Sequence, residues 1–429
     1  MNRISNSEIK GASDWLPDEF ALRKYIFDCW RRVCKRYGFE EYLTPLLERA
    51  EIYRAKSGED VGGKELLVFK DLGDRELAIR PEMTPSVVRM VSKNFKSEAK
   101  PLKYFSIANF FRNEKPQRGR NREFWQLNCD IFGSDSIMSD LEMIELAIDI
   151  LLEFNPPKNS FVLKINNRQL LDEFLNYIEL EEKNKTQVLR ILDKKDKLSE
   201  KDFEKSLIDL NLTEKQIKEI NTFLMGEKSD NFLELINGSK KLESIYQGLK
   251  QFITDLMNDG YGDFIVFDPS IIRGFDYYNG IVFEVFDLNP ENNRAIFGGG
   301  RYDGLAKIFA EENFPALGFA PGDETTKLFL ESWGLLENIK NSINENLYYL
   351  PIIDISLLKE TRDLAKKLRK EGKDVLISYD EIKIAKAFKF AQKKKIKNVI
   401  IFGSQEKENS CYKLKNLESG LEEIIKINI

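Results

Sequence analysis

Residues 110–133 read Phe-Phe-Arg-Asn-Glu-Lys-Pro-Gln-Arg-Gly-Arg-Asn-Arg-Glu-Phe-Trp-Gln-Leu-Asn-Cys-Asp-Ile-Phe-Gly: a strand, a basic loop and a returning strand. The incoming apolar run, 104–111, leads into Arg112, and the loop carries Pro116, Gly119 and the cations Lys115, Arg118, Arg120 and Arg122. On the return, alternation places Gln126, Asn128 and Asp130 on one face and Trp125, Leu127, Cys129 and Ile131 on the other. Three polar side chains in a row, on a strand this rich in aromatics, point to a sheet whose one face is a polar ligand platform. Arginines at its rim suit phosphate, whose oxygens a guanidinium meets two at a time. The plainer alternative is an exposed basic hairpin that solvates a sheet edge.

The chain of 429 residues contains no histidine. That excludes a Ser-His-Asp triad and HExxH zinc chemistry, and leaves general base work to carboxylates, Lys or Tyr. Chemistry that needs only positioning and charge stabilisation is favoured. The length implies two or three domains, and 42% hydrophobic with 32% charged residues is the profile of a soluble globular protein. No apolar run is long enough for a membrane span, and the start has no secretory h-region. Cys29, Cys34, Cys129 and Cys411 lack CxxC spacing, so neither a zinc site nor a disulfide framework is expected. With a net charge of −5, any nucleic acid must be met by local basic patches.

Periodicity places the supporting elements. Residues 17–37 read as a helix: Pro17 suits the first turn, Tyr25, Ile26, Cys29, Trp30, Val33, Cys34 and Tyr37 share a face, and Gly38 ends it. A strand carrying Pro45 follows over 39–48. Within Arg80-Pro81-Glu82-Met83-Thr84, Glu82 and Thr84 also suit the start of a helix running through Val88. Residues 156–260 turn Lys-, Glu-, Leu- and Asn-rich and mostly helical, an inserted domain whose charge runs are solvated faces. The sheet resumes at 263–269 and is followed by Arg273-Gly-Phe-Asp-Tyr277-Tyr278 and by Gly298-Gly-Gly-Arg-Tyr-Asp-Gly304. Those glycines permit close approach of backbone to a ligand, or simply a glycine-rich hairpin. Strands at 347–351, 374–378, 398–402 and a last one at 411–414 alternate with helices at 357–370 and 382–395, a small sheet covered by helices. The helix 382–395 turns Ile384, Phe388 and Ala391 inward, and Lys383, Lys386, Lys389 and Lys393 outward toward an RNA backbone or solvent.

Residues 111–126 match motif 2 of the class II aminoacyl-tRNA synthetases almost without departure, and the sequence most closely resembles the histidyl-tRNA synthetase family. The block from Arg273 to Glu284 resembles a signature peculiar to that family and its paralogues, in the expected order. The helix–Gly–strand–Pro unit of 17–48 resembles motif 1, the dimer interface of the class. Residues 316–330 occupy the place of motif 3: Gly318, Gly322 and Glu324 align, but Thr325 stands where the family has an arginine that clasps ATP.

The resemblance implies an α+β fold: a class II antiparallel sheet with flanking helices, a helical insertion, and a C-terminal α/β anticodon-binding domain. Its domains are then 1–155 and 261–335 (catalytic), 156–260 (insertion) and 345–429 (anticodon-binding). It implies ATP-dependent ligation of L-histidine to histidine tRNA through a histidyl-adenylate, with Mg²⁺ accompanying ATP, by a cytoplasmic homodimer with no membrane part and no protein-held metal. In that reading Arg112 and Arg273 neutralise the α-phosphate and, with Glu114 and Arg120, bind ATP. Glu82, Thr84 and Gln126 hold the α-ammonium, consistent with its need for carboxylate, hydroxyl and carbonyl acceptors. Asp130, where the family commonly has Glu, holds the imidazole with Tyr277 or Tyr278. Arg118, Arg120, Lys383 and Lys386 meet tRNA. The alternative is a non-catalytic histidine-binding paralogue, such as the regulatory subunit of ATP phosphoribosyltransferase, which Thr325 favours and Arg273 opposes.

Overall fold

The computed structural model describes residues 4–55, 60–193, 195, 198–272, 277–292, 294–309, 313–336 and 346–427. The chain divides into two compact units, Met1–Leu16 with Arg23–Leu335, and Pro17–Leu22 with Leu336–Ile429.

In chain order the strands of the first unit are β1 (Glu40–Glu41), β2 (Leu47–Arg49), β3 (Val68–Lys70), β4 (Glu76–Ile79), β5 (Leu102–Phe111), β6 (Glu123–Phe132), β7 (Phe161–Asn167), β8 (Ile265–Phe267), β9 (Ile281–Asp287), β10 (Ala295–Arg301) and β11 (Ala316–Phe319). Eight of them form one sheet in the order β1-β5-β6-β11-β10-β9-β7-β8. The six inner strands are antiparallel, as expected, while a parallel neighbour closes each edge. The expected hairpin is β5 and β6, paired from Leu102 with Phe132 to Phe111 with Glu123.

The helix Pro17–Arg36 buries Ile26, Cys29, Trp30, Val33 and Cys34, the face that periodicity selects. The single strand expected over 39–48 is two short ones. β1 joins the large sheet and β2 a three-stranded sheet with β4 and β3, because Pro45 between them has no N–H to give a ladder. The helix Thr84–Asn94 starts at the expected residue, with Pro85 in the first turn where a donor is not needed. The 156–260 segment opens with β7 in the large sheet, and its helices run from Arg168–Tyr177 to Lys240–Leu256. Phe161, Leu163 and Ile165 do alternate with Val162, Lys164 and Asn166, a strand signal hidden by the Lys- and Asn-rich sequence that follows.

The second unit holds β12 (Leu347–Ile352), β13 (Asp374–Glu381), β14 (Asn398–Ile401), β15 (Cys411–Asn416) and β16 (Glu422–Lys426), in the sheet order β13-β12-β14-β15-β16. β15 is therefore not the last strand. β16, Glu-Glu-Ile-Ile-Lys, is too exposed to carry a core pattern. The lysine-faced helix spans Ile384–Lys393, shorter than 382–395. Ala387 and Ala391 are its buried residues, whereas Ile384, in the first turn, is exposed rather than inward.

Candidate active site

The register of the large sheet builds a polar floor. Tyr104, Asp130, Gly318 and Gly300 stand side by side across β5, β6, β11 and β10. One step along the same face lies Ser106 with Asn128, and the next step is Ala108 with Gln126. The glycines are matched to these neighbours. A Cβ on Gly318 would sit 2.2 Å from Asp130 Oδ1, and one on Gly300 would sit 2.9 Å from the Tyr278 ring. One on Gly299 would meet the Gly318 carbonyl at 2.3 Å. What Gly299 and Gly300 admit here is the protein's own backbone and aromatic side chains, Phe319 and Tyr278.

Asp130 is buried, and the Tyr302 hydroxyl donates to its Oδ1 at 2.5 Å. Its Oδ2 has no hydrogen-bond partner among the described residues. Burial pushes the Asp130 carboxyl up to about 7, the Tyr302 hydrogen bond opposes this, and the charge of Glu82 adds to it. Sequence reasoning missed Tyr302. Its block stood out for glycines, and nothing local tells which strand its hydroxyl will face.

Glu82 is buried too and accepts from the Tyr277 hydroxyl at 3.3 Å. The loop that carries it is stitched to β5. Arg80 donates through Nε to the Asn109 carbonyl at 2.9 Å and through Nη1 to the Thr44 carbonyl at 2.8 Å, and Phe111 N–H returns to the Arg80 carbonyl. Thr84 is buried at the start of its helix. The Tyr277 ring lies 4.9 Å from Tyr278 and 5.7 Å from Tyr302. An aromatic wall therefore joins the two carboxylates, with Tyr277 on Glu82 and Tyr302 on Asp130.

Arg112 Nε donates to the Pro81 carbonyl at 3.1 Å, and its guanidinium lies over the Phe124 ring, 5.1 Å from the centroid. This sets it beside the Glu82 loop. Gln126 Nε2 donates to the Ala320 carbonyl at 3.2 Å, which leaves its Oε1 as the acceptor an ammonium needs. Around the loop, Glu114 pairs with Arg120 at 3.3 Å, Arg118 is exposed, and Gly119 turns the chain at φ 74°. Arg273 lies outside the described residues, and Lys383 and Lys386 are exposed in the second unit.

Thr325 opens no new contact: its Oγ1 donates to the Gly322 carbonyl at 3.1 Å. Another arginine serves the start of that helix. Arg23, fully buried, pairs with Asp323 at 2.8 Å and Glu324 at 2.6 Å. Asp323 also accepts from the Trp125 N–H at 2.9 Å, which ties the helix Asp323–Ser332 to β6 next to Gln126. Burial pushes Asp323 up to about 7 against the pull of Arg23. The signal for Arg23 was present: it sits on the apolar stripe with Ile26, Trp30 and Val33, where a charge needs a partner.

The Asp130 assignment has a pH signature. A carboxyl whose pKa rises on folding loses stability as pH climbs from the ordinary carboxylate range through about 7, because the folded protein then holds a buried charge. Asp130→Asn is expected to raise the melting temperature above pH 7 and, in the role the resemblance implies for Asp130, to lower kcat/KM for histidine by about 10²-fold or more, because a site that bonds an N–H would be left mismatched. Thermal melts at pH 5 and 8, with exchange kinetics, check both halves. Unchanged histidine kinetics would remove Asp130 from the pocket.

The histidyl-tRNA synthetase family profile matches residues 11–323, and an anticodon binding domain profile matches 343–428. The histidine–tRNA ligase of Leptospira biflexa is 39% identical over 420 residues, covering 97% of this chain and 94% of that protein. That of Pyrococcus horikoshii is 37% identical over 427 residues, covering 98% and 96%. Among solved structures, the fold is shared with histidyl-tRNA synthetase from Nostoc sp. PCC 7120 at a TM-score of 0.83, 24% identity, and coverage of 99% of this chain and 97% of that one. It is shared with an ATP phosphoribosyltransferase regulatory subunit/histidyl-tRNA synthetase from Bacillus halodurans at a TM-score of 0.76, 21% identity and coverage of 93% and 98%. With two buried carboxylates joined by tyrosines beside Arg112, a family profile over residues 11–323 and relatives matched over nearly their full length, the chain belongs to the histidyl-tRNA synthetase family.

Proposed function

We propose that this chain ligates L-histidine to histidine tRNA in two steps, through a histidyl-adenylate. The observation that carries the reading is the pair of buried carboxylates joined by the tyrosine wall. Glu82, with Thr84 and Gln126, suits an α-ammonium. Asp130, held by Tyr302, keeps one oxygen for an imidazole N–H. A pocket with an acceptor for each end of its ligand fits a free amino acid whose side chain is itself a donor.

In the first step the histidine carboxylate attacks the α-phosphorus of ATP and pyrophosphate leaves. A carboxylate nucleophile has no proton to lose, so a chain without histidine lacks nothing the step needs. Its task is to orient the two substrates and to neutralise charge at the α-phosphate, assigned here to Arg112 and Arg273. ATP enters as its Mg²⁺ complex, with Glu114 and Arg120 on the nucleotide. In the second step a hydroxyl of the terminal ribose of the tRNA attacks the acyl carbon, its proton passes to a phosphate oxygen of the adenylate, and AMP leaves. Arg118 and Arg120 meet the acceptor end. We assign 1–155 and 261–335 to catalysis, 156–260 to an insertion and 345–429 to anticodon binding, with 17–48 as the interface of a homodimer. Four free, buried cysteines suit a reducing cytoplasm.

Histidine-dependent ATP–pyrophosphate exchange, run against the other amino acids, tests the reading. Histidine binding with no exchange would favour the regulatory-subunit alternative. That alternative is less supported, since the relatives at 39% and 37% identity carry ligase names over nearly the whole chain. Deleting 343–429 is expected to reduce tRNA aminoacylation far more than exchange, because Lys383 and Lys386 contribute only to tRNA. Equal loss of both would make that region purely structural.

A further inference from the structure

Thr325 leaves this site without the cation its family places there, and the structure offers another. Arg294, in the connection between β9 and β10, reaches across to the motif 2 loop. Its Nη1 donates to the Arg118 carbonyl at 2.6 Å. The loop is shaped to receive it. A Cβ on Gly119 would lie 2.3 Å from Arg294 Nη1 and 2.9 Å from Leu328 Cδ1. Gly119 also has φ 74°, so both space and backbone select glycine there. Leu328 is three residues after Thr325 on the helix Asp323–Ser332, hence on the same face, and helical side chains lean toward the N-terminus. The Arg294 guanidinium therefore comes to the side of the helix from which an arginine at position 325 would project. Lys327 is two residues on, about 200° round the helix from Thr325.

Arg294 is half-buried, and no carboxylate pairs with it among the described residues. A guanidinium has five N–H donors, and only one bond, to a neutral carbonyl, is made here. Arg118 and Arg120 share the same turn, and among the described residues Glu114 pairs with Arg120. Several like charges at one turn repel each other unless an anion joins them, and a polyphosphate meets that need. Resting on the ligase reading above, we propose that Arg294 binds the triphosphate of ATP in place of the arginine that Thr325 replaces, an arrangement built from a different strand connection.

The test compares the parent, Arg294→Gln, Arg294→Lys and the double variant Arg294→Gln/Thr325→Arg in ATP–pyrophosphate exchange, with histidine binding measured separately by calorimetry. Loss of a charged hydrogen-bonding donor is expected to raise KM for ATP about tenfold or more. The expected pattern is unchanged histidine affinity, partial retention in Arg294→Lys, and recovery of the ATP KM in the double variant. An unaltered ATP KM in Arg294→Gln overturns the proposal. So does a rise confined to the KM for tRNA in aminoacylation, which would assign the guanidinium to RNA phosphate. Equal weakening of histidine and ATP with no rescue by Thr325→Arg also overturns it, leaving Arg294 a brace for the loop. If the parent gives no exchange, the ligase reading fails, and equilibrium dialysis of ATP against parent and Arg294→Gln decides Arg294 alone: equal affinities overturn it.

Discussion

Replacing Arg273 by alanine is expected to slow histidine-dependent ATP–pyrophosphate exchange by about 10²–10³-fold, the loss that follows removal of a donor aimed at developing charge. The expectation follows from the chemistry. In the proposed reaction, attack on the α-phosphorus concentrates negative charge on that phosphate, a charge assigned here to arginines. Arg112, pinned at 3.1 Å to the Pro81 carbonyl, braces the Glu82 loop in addition to the phosphate role proposed for it. Its substitution therefore mixes two losses, whereas Arg273→Ala reads phosphate stabilisation more cleanly. Single-turnover adenylate formation measured beside histidine affinity separates the terms. A fall of less than tenfold with histidine binding intact would take Arg273 out of the chemical step.

The largest effect on stability is expected at Arg23, which no assignment from motifs includes. Asp323 is fully buried, with Arg23 at 2.8 Å as the cation that offsets its charge. Arg23→Met keeps the apolar stem and removes that charge, which is expected to destabilise the protein by about 3–5 kcal/mol at pH 8, the cost of leaving a buried carboxylate unpaired. The sign of the pH dependence follows from Asp323. Its carboxyl already sits at about 7 because of burial, with Arg23 holding it down, so without Arg23 it rises further and takes a proton near neutrality. The loss is then smaller at pH 6 than at pH 8. Arg23→Met/Asp323→Asn should recover most of it, since Asn still accepts from the Trp125 N–H. Urea unfolding of the three proteins at both pH values measures this. A pH-independent loss, or no recovery in the double variant, would show that Arg23 acts through packing alone.

The hairpin of 110–133 is legible in the amino-acid sequence, and so is the alternation that puts Gln126, Asn128 and Asp130 on one face. Helix starts at Pro17 and Thr84 are legible for the same reason: proline geometry, alternation and the 3.6 period act over a few residues. Two elements escape such a reading. Pro45 splits the expected strand between two sheets, and β16 lacks an apolar pattern because it is an exposed edge. Pro45 marks the break, but only the neighbouring strands decide which sheet each half joins and that β16 lies at an edge.

The site divides in the same way. Sequence by itself determined which residue types are present: arginines, carboxylates and tyrosines but no histidine, and a threonine where the family has an arginine. Only the tertiary structure decided how they are matched. Tyr302 meets Asp130 across 172 residues of chain, Arg23 meets Asp323 across 300, and Arg294 meets the Arg118 carbonyl across 176. Gly318 is a glycine because Asp130 occupies the space of its Cβ. These pairings follow from strand register and close packing, in which a shift of one residue turns every side chain to the opposite face. A hydroxyl or guanidinium can be recognised from its own sequence neighbourhood, but the carboxylate or carbonyl it meets is set by where the sheet places a distant strand.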